Sequence, residues 1–315
     1  MIDFFKVKKD TKIYSPFSMI EDIRTADQFK IITFSKYKRT EVKKEWLISM
    51  NKELLESCCY WTTELICSGL LVDLWELIFA YSFRYIHKGN PKLPLYLEMR
   101  YQTFKKIIDT STELMLRNNI EIRHLFLEIV CVLVTSKRSH AYEIIPISKE
   151  EGIPKSRLKA PTIDFNKAFL PNDPKELFIP MNEFSYMLHE KNAMGACYWI
   201  EWLFAFFHKR KCHIPEREYC YHSKKDPIWL VWDTILCYAT DPMVNKIVKS
   251  ILYLFCGAYS ASCKEKRRYM IYYAITLCCE PISFDVEILT NKKMIEQVYK
   301  KGDLLFQDKK VHEVS

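Results

Sequence analysis

Leu71-Val72-Asp73-Leu74-Trp75-Glu76-Leu77-Ile78-Phe79-Ala80-Tyr81-Ser82-Phe83-Arg84-Tyr85-Ile86, closed by Lys88-Gly89-Asn90-Pro91, decides the fold class. Apolar side chains return every three or four residues, the period of an α-helix that buries one face. Gly89, Asn90 and Pro91 cannot together continue a helix, so the run stops there. The apolar stretch at residues 65–83 approaches the length of a membrane span, roughly 18–20 residues. Asp73 and Glu76 interrupt it. A carboxylate in hydrocarbon has nothing to offset its desolvation. The segment is therefore read as a buried helix of a soluble protein, and no membrane span is expected.

The same period extends in both directions. Trp46, Leu47, Met50, Leu54 and Leu55 open it, and further helices are predicted over 59–67, 71–86, 95–108 and 120–134. Gly69 is placed to end the second of these. Past residue 173 helices are predicted over 174–190, 194–208, 227–238, 242–259 and 264–279, with a last one near 286–300. Asp173-Pro174, Asp226-Pro227 and Asp241-Pro242 repeat one start signal, an N-cap acid followed by proline in the first turn. Residues 137–172 carry Pro146, Pro154, Pro161 and Pro171 and little helical period. The expected fold is all-α. Two helical bundle-like halves, 41–136 and 173–300, are joined by the linker 137–172, after an irregular arm 1–40 and before a polar tail 301–315. Within the arm, Phe29-Lys30-Ile31-Ile32-Thr33-Phe34-Ser35 predicts one short strand or an extended segment.

The halves echo each other. Cys59-Tyr60-Trp61 precedes Glu64, and Cys197-Tyr198-Trp199 precedes Glu201. Pro94-Leu95-Tyr96-Leu97 is loosely matched by Pro227-Ile228-Trp229-Leu230, and 120–134 by 243–257 in character. Two readings stand: an internal duplication, or chance recurrence of a short motif in an aromatic-rich chain.

Composition excludes several classes. The 315 residues include 6 glycines, where average usage gives about 22. Phosphate-binding loops need clustered glycines before a helix, so most such enzymes are excluded. No Gly-x-Ser-x-Gly, His-Glu-x-x-His or Gly-Lys-Ser/Thr motif occurs. The 12 cysteines fall mainly in apolar helical stretches. Residues 1–12 are charged, so no signal peptide is expected. Reduced thiols packed as small hydrophobes follow. The net charge of +8 permits an acidic or nucleic-acid partner without requiring one.

Four sets of residues carry candidate chemistry. His208, Cys212, His213, Cys220 and His222 are soft and borderline ligands on one short connection, the types that tetrahedral zinc prefers. The segment lacks a Cys-x-x-Cys clamp and is otherwise basic, so a solvated connection stands beside zinc as its reading. Lys264, Lys266, Arg267 and Arg268, and separately Lys36, Lys38, Arg39, Lys43 and Lys44, are basic runs that would meet phosphate or simply face solvent. Glu64, Asp73, Glu76, Glu201 and Asp233 are acids within apolar helices. They are expected in a buried hydrogen bond or ion pair with Arg84, Arg100 or Arg123. Trp61, Trp75, Trp199, Trp202, Trp229 and Trp232 are expected in the core.

Ala196-Cys197-Tyr198-Trp199-Ile200-Glu201-Trp202, Lys266-Arg267-Arg268-Tyr269, Phe29–Ser35, Glu64-Leu65-Ile66-Cys67-Ser68-Gly69, Gly89-Asn90-Pro91-Lys92-Leu93-Pro94 and Asp173-Pro174-Lys175-Glu176-Leu177-Phe178 resemble a protein family of nucleocytoplasmic large DNA viruses that has no assigned activity. Leu70-Leu71 departs from it where a more polar pair is expected. The resemblance implies lineage and setting: a viral protein of the host cytoplasm or the virion. It carries over no catalytic residue. The expected function is a non-enzymatic scaffold or virion-associated interaction protein with protein partners. The alternative is a basic nucleic-acid-binding accessory factor in viral replication or transcription, and a zinc enzyme centred on residues 208–222 is third.

Overall fold

The computed structural model describes residues 19–147, 152–220, 223–288 and 292–314. Among the described residues the chain forms twelve α-helices and no strand. They are α1 (Arg39–Asn51), α2 (Leu55–Cys67), α3 (Leu71–Tyr81), α4 (Leu93–Ile108), α5 (Glu113–Asn118), α6 (Ile120–Thr135), α7 (Phe178–His189), α8 (Ala193–Lys209), α9 (Ile228–Tyr238), α10 (Pro242–Cys256), α11 (Arg268–Cys279) and α12 (Lys292–Lys309). The opening run becomes α3 followed by a π-helical turn, Ser82–Ile86. No described helix is long and apolar enough to cross a membrane.

The chain divides into two units, and the division differs from the expected one. Unit 1 comprises Met1–Tyr81, Met99–Lys137 and Glu287–Ser315, and unit 2 comprises Ser82–Glu98 and Arg138–Val286. The expected polar tail is mostly helix. α12 reaches Lys309 and packs on α2 and α6. It turns Ile295, Val298 and Phe306 into the core of unit 1. Gly302 lies inside α12 at its closest approach to α6, where a Cβ would overlap the Leu127 side chain.

Two charge clusters join distant parts of unit 1. Glu64 is fully buried. Its carboxylate accepts from Lys309 Nζ at 2.6 Å, Ser35 Oγ at 2.6 Å and the Ser35 N–H at 2.7 Å. Lys309 Nζ also lies 3.6 Å from the Tyr60 ring centroid. Arg117, equally buried, donates to the carbonyls of Cys67 (2.6 Å) and Arg24 (3.0 Å). The described part of the N-terminal arm is neither a strand nor extended over 29–35: Ala26–Lys30 is a 3-10 turn, and the Lys36 N–H returns to Thr33 C=O in a second turn. A single bridge pairs Ile32 with Lys38. The polar groups of α2 satisfy its backbone instead: the Phe34 N–H donates to Ser68 Oγ at 2.9 Å, and the Ser35 N–H to Glu64. Residues 1–18 of that arm lie outside the described residues.

In unit 2 the expected linker is ordered, irregular chain packed on helices. The Glu183 carboxylate accepts the N–H groups of Lys159 and Ala160, and Asn182 accepts that of Phe165. Positions 148–151 of this linker lie outside the described residues. The segment after α6 is strapped to the π-helical turn: Ser139 N–H donates to Tyr85 C=O at 2.8 Å and Tyr142 N–H to Arg84 C=O at 3.1 Å. His87 sits beneath the strap. It is 3 % exposed. Its Nε2 donates to His140 C=O at 2.8 Å, and its ring stacks on Tyr142 at 4.2 Å.

Burial disfavours the imidazolium and pushes the His87 pKa down from 6.5 to about 4. The folded state therefore binds the proton less readily than the unfolded chain. The His87 contribution is complete above about pH 6.5 and is lost as pH falls towards 4. Between pH 7 and 4.5 the wild type is expected to lose about 2–3 kcal/mol more than His87→Asn in urea unfolding. Equal losses in the two proteins would show that the imidazole is not held neutral.

The echo between the halves is structural, and it has a different extent from the sequence match. The α1–α2 and α7–α8 turns are superposable in their bonds. Lys52 N–H donates to Ile48 C=O, Glu53 to Met50 and Leu54 to Ser49, and at a constant offset Glu190 donates to Tyr186, Lys191 to Leu188 and Asn192 to Met187. Glu53 (φ 56°) and Lys191 (φ 57°) occupy the same left-handed position. Cys59-Tyr60-Trp61 and Cys197-Tyr198-Trp199 then take equivalent places in α2 and α8. The next helices agree as well: Trp75, Glu76, Ile78 and Tyr81 of α3 stand where α9 has Trp232, Asp233, Ile235 and Tyr238. The counterpart of residues 227–230 is thus the start of α3, not residues 94–97.

Candidate functional site

The two halves differ where the second helix hands over to the third. In unit 1 residues 68–70 suffice. Gly69 takes φ +67°, and the Leu70 N–H returns to Leu65 C=O at 2.9 Å, a tight helix stop. The equivalent stretch of α8 has no glycine. It continues through Phe204-Ala205-Phe206-Phe207 to Lys209, and residues 210–227 then intervene before α9. Insertions confined to one repeat map to surface loops and frequently carry binding.

The insertion is held firmly at its root. Ile214 N–H donates to Lys225 C=O and Arg217 N–H to Lys224 C=O, so the segment doubles back on itself. Ile214 and Cys212 face the core. Arg217, 8 % exposed, is its main tie. Its Nε donates to Asp233 Oδ2 at 2.7 Å, and its Nη2 to Asp173 Oδ2 at 3.0 Å. Tyr219 OH donates to the other Asp233 oxygen at 2.6 Å. Asp226 closes the segment. It accepts from the Ile228 N–H (3.0 Å), Tyr259 OH (3.0 Å) and Lys264 Nζ (3.1 Å).

Between this segment and the connection before α11 lies a cleft of about 660 Å³. Phe207, Pro227 and Ala261 give it an apolar base. Among the described residues Arg210, Lys211, Lys224, Lys225 and Lys264 line it, opposed by Glu216 and Asp226. Lys224 reaches Glu218 at 3.2 Å and Lys225 reaches Glu216 at 3.8 Å. The acids of both pairs are more than half exposed, so these contacts are weak and exchangeable. On α8, Trp202 stacks on Phe206 at 5.3 Å, and the Arg210 guanidinium lies 5.7 Å from the Phe206 centroid. Planar groups thus lead along the helix to the mouth of the cleft.

The sequence-derived site residues are distributed unevenly. Cys212 and His213 line the cleft. His208 is exposed and meets Glu265 at 2.5 Å, Cys220 is half-buried, and His222 lies outside the described residues. Among the described residues no three His, Cys, Asp or Glu side chains gather as a metal site. Burial pushes the Cys212 thiol up to about 11 and Cys256 up to about 12, so both are protonated at neutral pH and poor ligands or nucleophiles.

The basic run at 264–268 is largely engaged inside the protein. Lys264 pairs with Asp226, while Arg267 is buried and donates to Phe255 C=O at 2.5 Å. Arg268 pairs with Glu201 at 3.1 Å, and Lys266 is exposed. In the first cluster Arg39 and Lys43 share Asp73 at 2.5 and 3.4 Å, Lys38 meets Glu41 at 3.6 Å, and Lys36 and Lys44 are exposed.

Four of the five helix acids sit in ion pairs, with partners other than those expected. Glu64 takes Lys309, Asp73 takes Arg39, Glu201 takes Arg268 and Tyr272, and Asp233 takes Arg217. Arg100 and Arg123 serve Glu128 and Asp303 instead. Burial raises the Glu201 carboxyl above its ordinary range, an effect that Tyr272 and Arg268 only partly offset. The arrangement at the cleft can bind an anion, and Cys212, the described thiol that lines it, is held protonated.

No protein-family model, curated protein or solved structure matches the chain.

Proposed function

We propose that this chain is a non-enzymatic scaffold or virion-associated interaction protein of a large DNA virus, and that it engages its partner through the cleft built by residues 210–227. The observation that carries this reading is the asymmetry between the two units. They share a hairpin and a third helix, yet only unit 2 adds a segment that exposes Arg210, Lys211 and Lys225, beside Glu216 and Glu218, at a cleft. Internal commitment of the acids and protonated thiols support binding over catalysis. The residues quoted above as resembling a viral family support the setting, in host cytoplasm or virion.

The test is purification of the tagged chain from infected cells and from virions, beside the variant Arg210→Glu/Lys211→Glu/Lys225→Glu. All three side chains are exposed, so the variant is expected to fold with an unchanged melting temperature. Its stoichiometric partners are expected to be lost. Retention of the same partners at the same stoichiometry would refute the role of the cleft.

The nucleic-acid accessory reading is kept as a second one, because one observation favours it: five cations converge on a single cleft. They come from residues 210–225 and Lys264 rather than from the 264–268 run as a whole.

A further inference from the structure

We infer that the cleft of unit 2 is a phosphate site for single-stranded nucleic acid. The inference rests on the second, nucleic-acid reading of the cleft and names the form of nucleic acid that it takes. Three features on different elements support it. Arg210 and Lys211 at the start of the segment and Lys225 near its end all line the cleft and are exposed, beside Glu216. A phosphodiester strand presents one charge per nucleotide and meets such a groove along its length.

The second feature is the apolar base. Phe207 and Pro227 lie among the cations, and a nucleic acid brings a flat base beside each phosphate to such a pairing of apolar and cationic groups. The third is the planar series Trp202, Phe206, Arg210. It holds the Arg210 guanidinium over an aromatic face at the cleft mouth. A guanidinium over an aromatic face can offer its N–H groups to phosphate oxygens at the same time. Lys264 takes a different part. Its tie to Asp226 fixes it beside Phe207, 5.1 Å from the ring centroid, so it contributes field at the base of the cleft.

The experiment is fluorescence anisotropy with the full chain. The probe is a labelled oligothymidylate of about 12 nucleotides, within the span of one single-strand site. An oligoglutamate of about the same length and inorganic phosphate serve as competitors. The oligonucleotide is expected to bind with a log–log salt slope of about −2 to −3, since each neutralised single-strand phosphate contributes about −0.7. Arg210→Glu/Lys211→Glu/Lys225→Glu is expected to weaken it by about tenfold or more and to flatten the slope. Lys106→Glu/Lys249→Glu/Lys300→Glu reverses the same number of exposed charges elsewhere and is expected to leave the affinity within about twofold.

Equal weakening by both variants would overturn the inference, because binding would then follow net charge alone. Oligoglutamate competing as well as unlabelled oligonucleotide would overturn it in favour of an acidic protein segment. Undetectable oligonucleotide binding at low salt would overturn it as well. In the last two cases a loss of infected-cell partners in the cleft variant would leave the interaction reading standing, so the two failures are distinguishable.

Discussion

Lys309→Met is expected to destabilise unit 1 by about 3–5 kcal/mol, because it strands a carboxylate that has no access to water. Glu64 and Lys309 are both almost fully buried, from helices far apart in the chain. Burial by itself would raise the Glu64 carboxyl. Lys309 and the two Ser35 donors outweigh it and hold the group below its ordinary value of 4.5. In the wild type the folded state therefore binds this proton less readily than the unfolded chain. The contribution of the pair is present above about pH 4.5 and is lost as pH falls below it.

In the variant the sign reverses. Without Lys309, burial dominates, and protonation of Glu64 relieves the defect. The deficit measured by urea unfolding is thus expected to be largest at neutral pH and to shrink towards pH 4. Replacing both partners, Glu64→Leu with Lys309→Met, is expected to recover most of the loss, since no charge is then left buried. A Lys309→Met deficit under about 1 kcal/mol, the size of an exposed pair, would mean that the pair is solvated.

Arg217→Met is expected to cost about 3 kcal/mol or more in unit 2 and to free the cleft-forming segment. Arg217 is the only described cation that reaches both Asp173 and Asp233. Burial opposes its charge, but the two acids win and hold its pKa above the ordinary arginine value. Removing it leaves Asp173, whose side chain is fully buried, without a counter-charge. Lysine cannot replace a fork that donates to two acids at once, so Arg217→Lys is expected to recover little. Limited trypsin digestion reports the local effect. Cleavage within residues 210–227 is expected to accelerate before the rest of the chain is attacked. Cleavage at the wild-type rate with unchanged stability would show that Arg217 is not what holds the segment.

Much of the helical architecture was legible because it rests on local signals. Asp241 accepts the N–H groups of Met243 and Val244, as the Asp-Pro pair implies. Trp75, Trp199, Trp229 and Trp232 are buried, as their helical spacing implies. Asp173-Pro174 shows the limit of such signals. There the acid accepts from the Leu170 N–H and pairs with Arg217, and α7 begins only at Phe178.

What was not legible depends on partners distant in the chain. α12 looks polar because its apolar stripe is narrow, and its buried Lys309 makes sense only once Glu64 is beside it. The basic run at 264–268 looks like a phosphate site until Asp226, Phe255 and Glu201 are seen to occupy three of its members. The cleft was half legible. The density of Lys, Arg, Cys and His at 208–225 marked the segment that lines the cleft. Spacing alone could not show that Cys212 turns inward while Arg210, Lys211 and Lys225 remain outside. The usable signal was the length of the connection: residues 68–70 in one half and 210–227 in the other.

Amide hydrogen exchange on the partner-bound chain isolated from infected cells, compared with the free chain, bears most directly on the role of the cleft. Protection on binding is expected within residues 210–227 and in the 257–267 connection that faces them. Protection confined to other surfaces, with exchange at 210–227 unchanged, would contradict it.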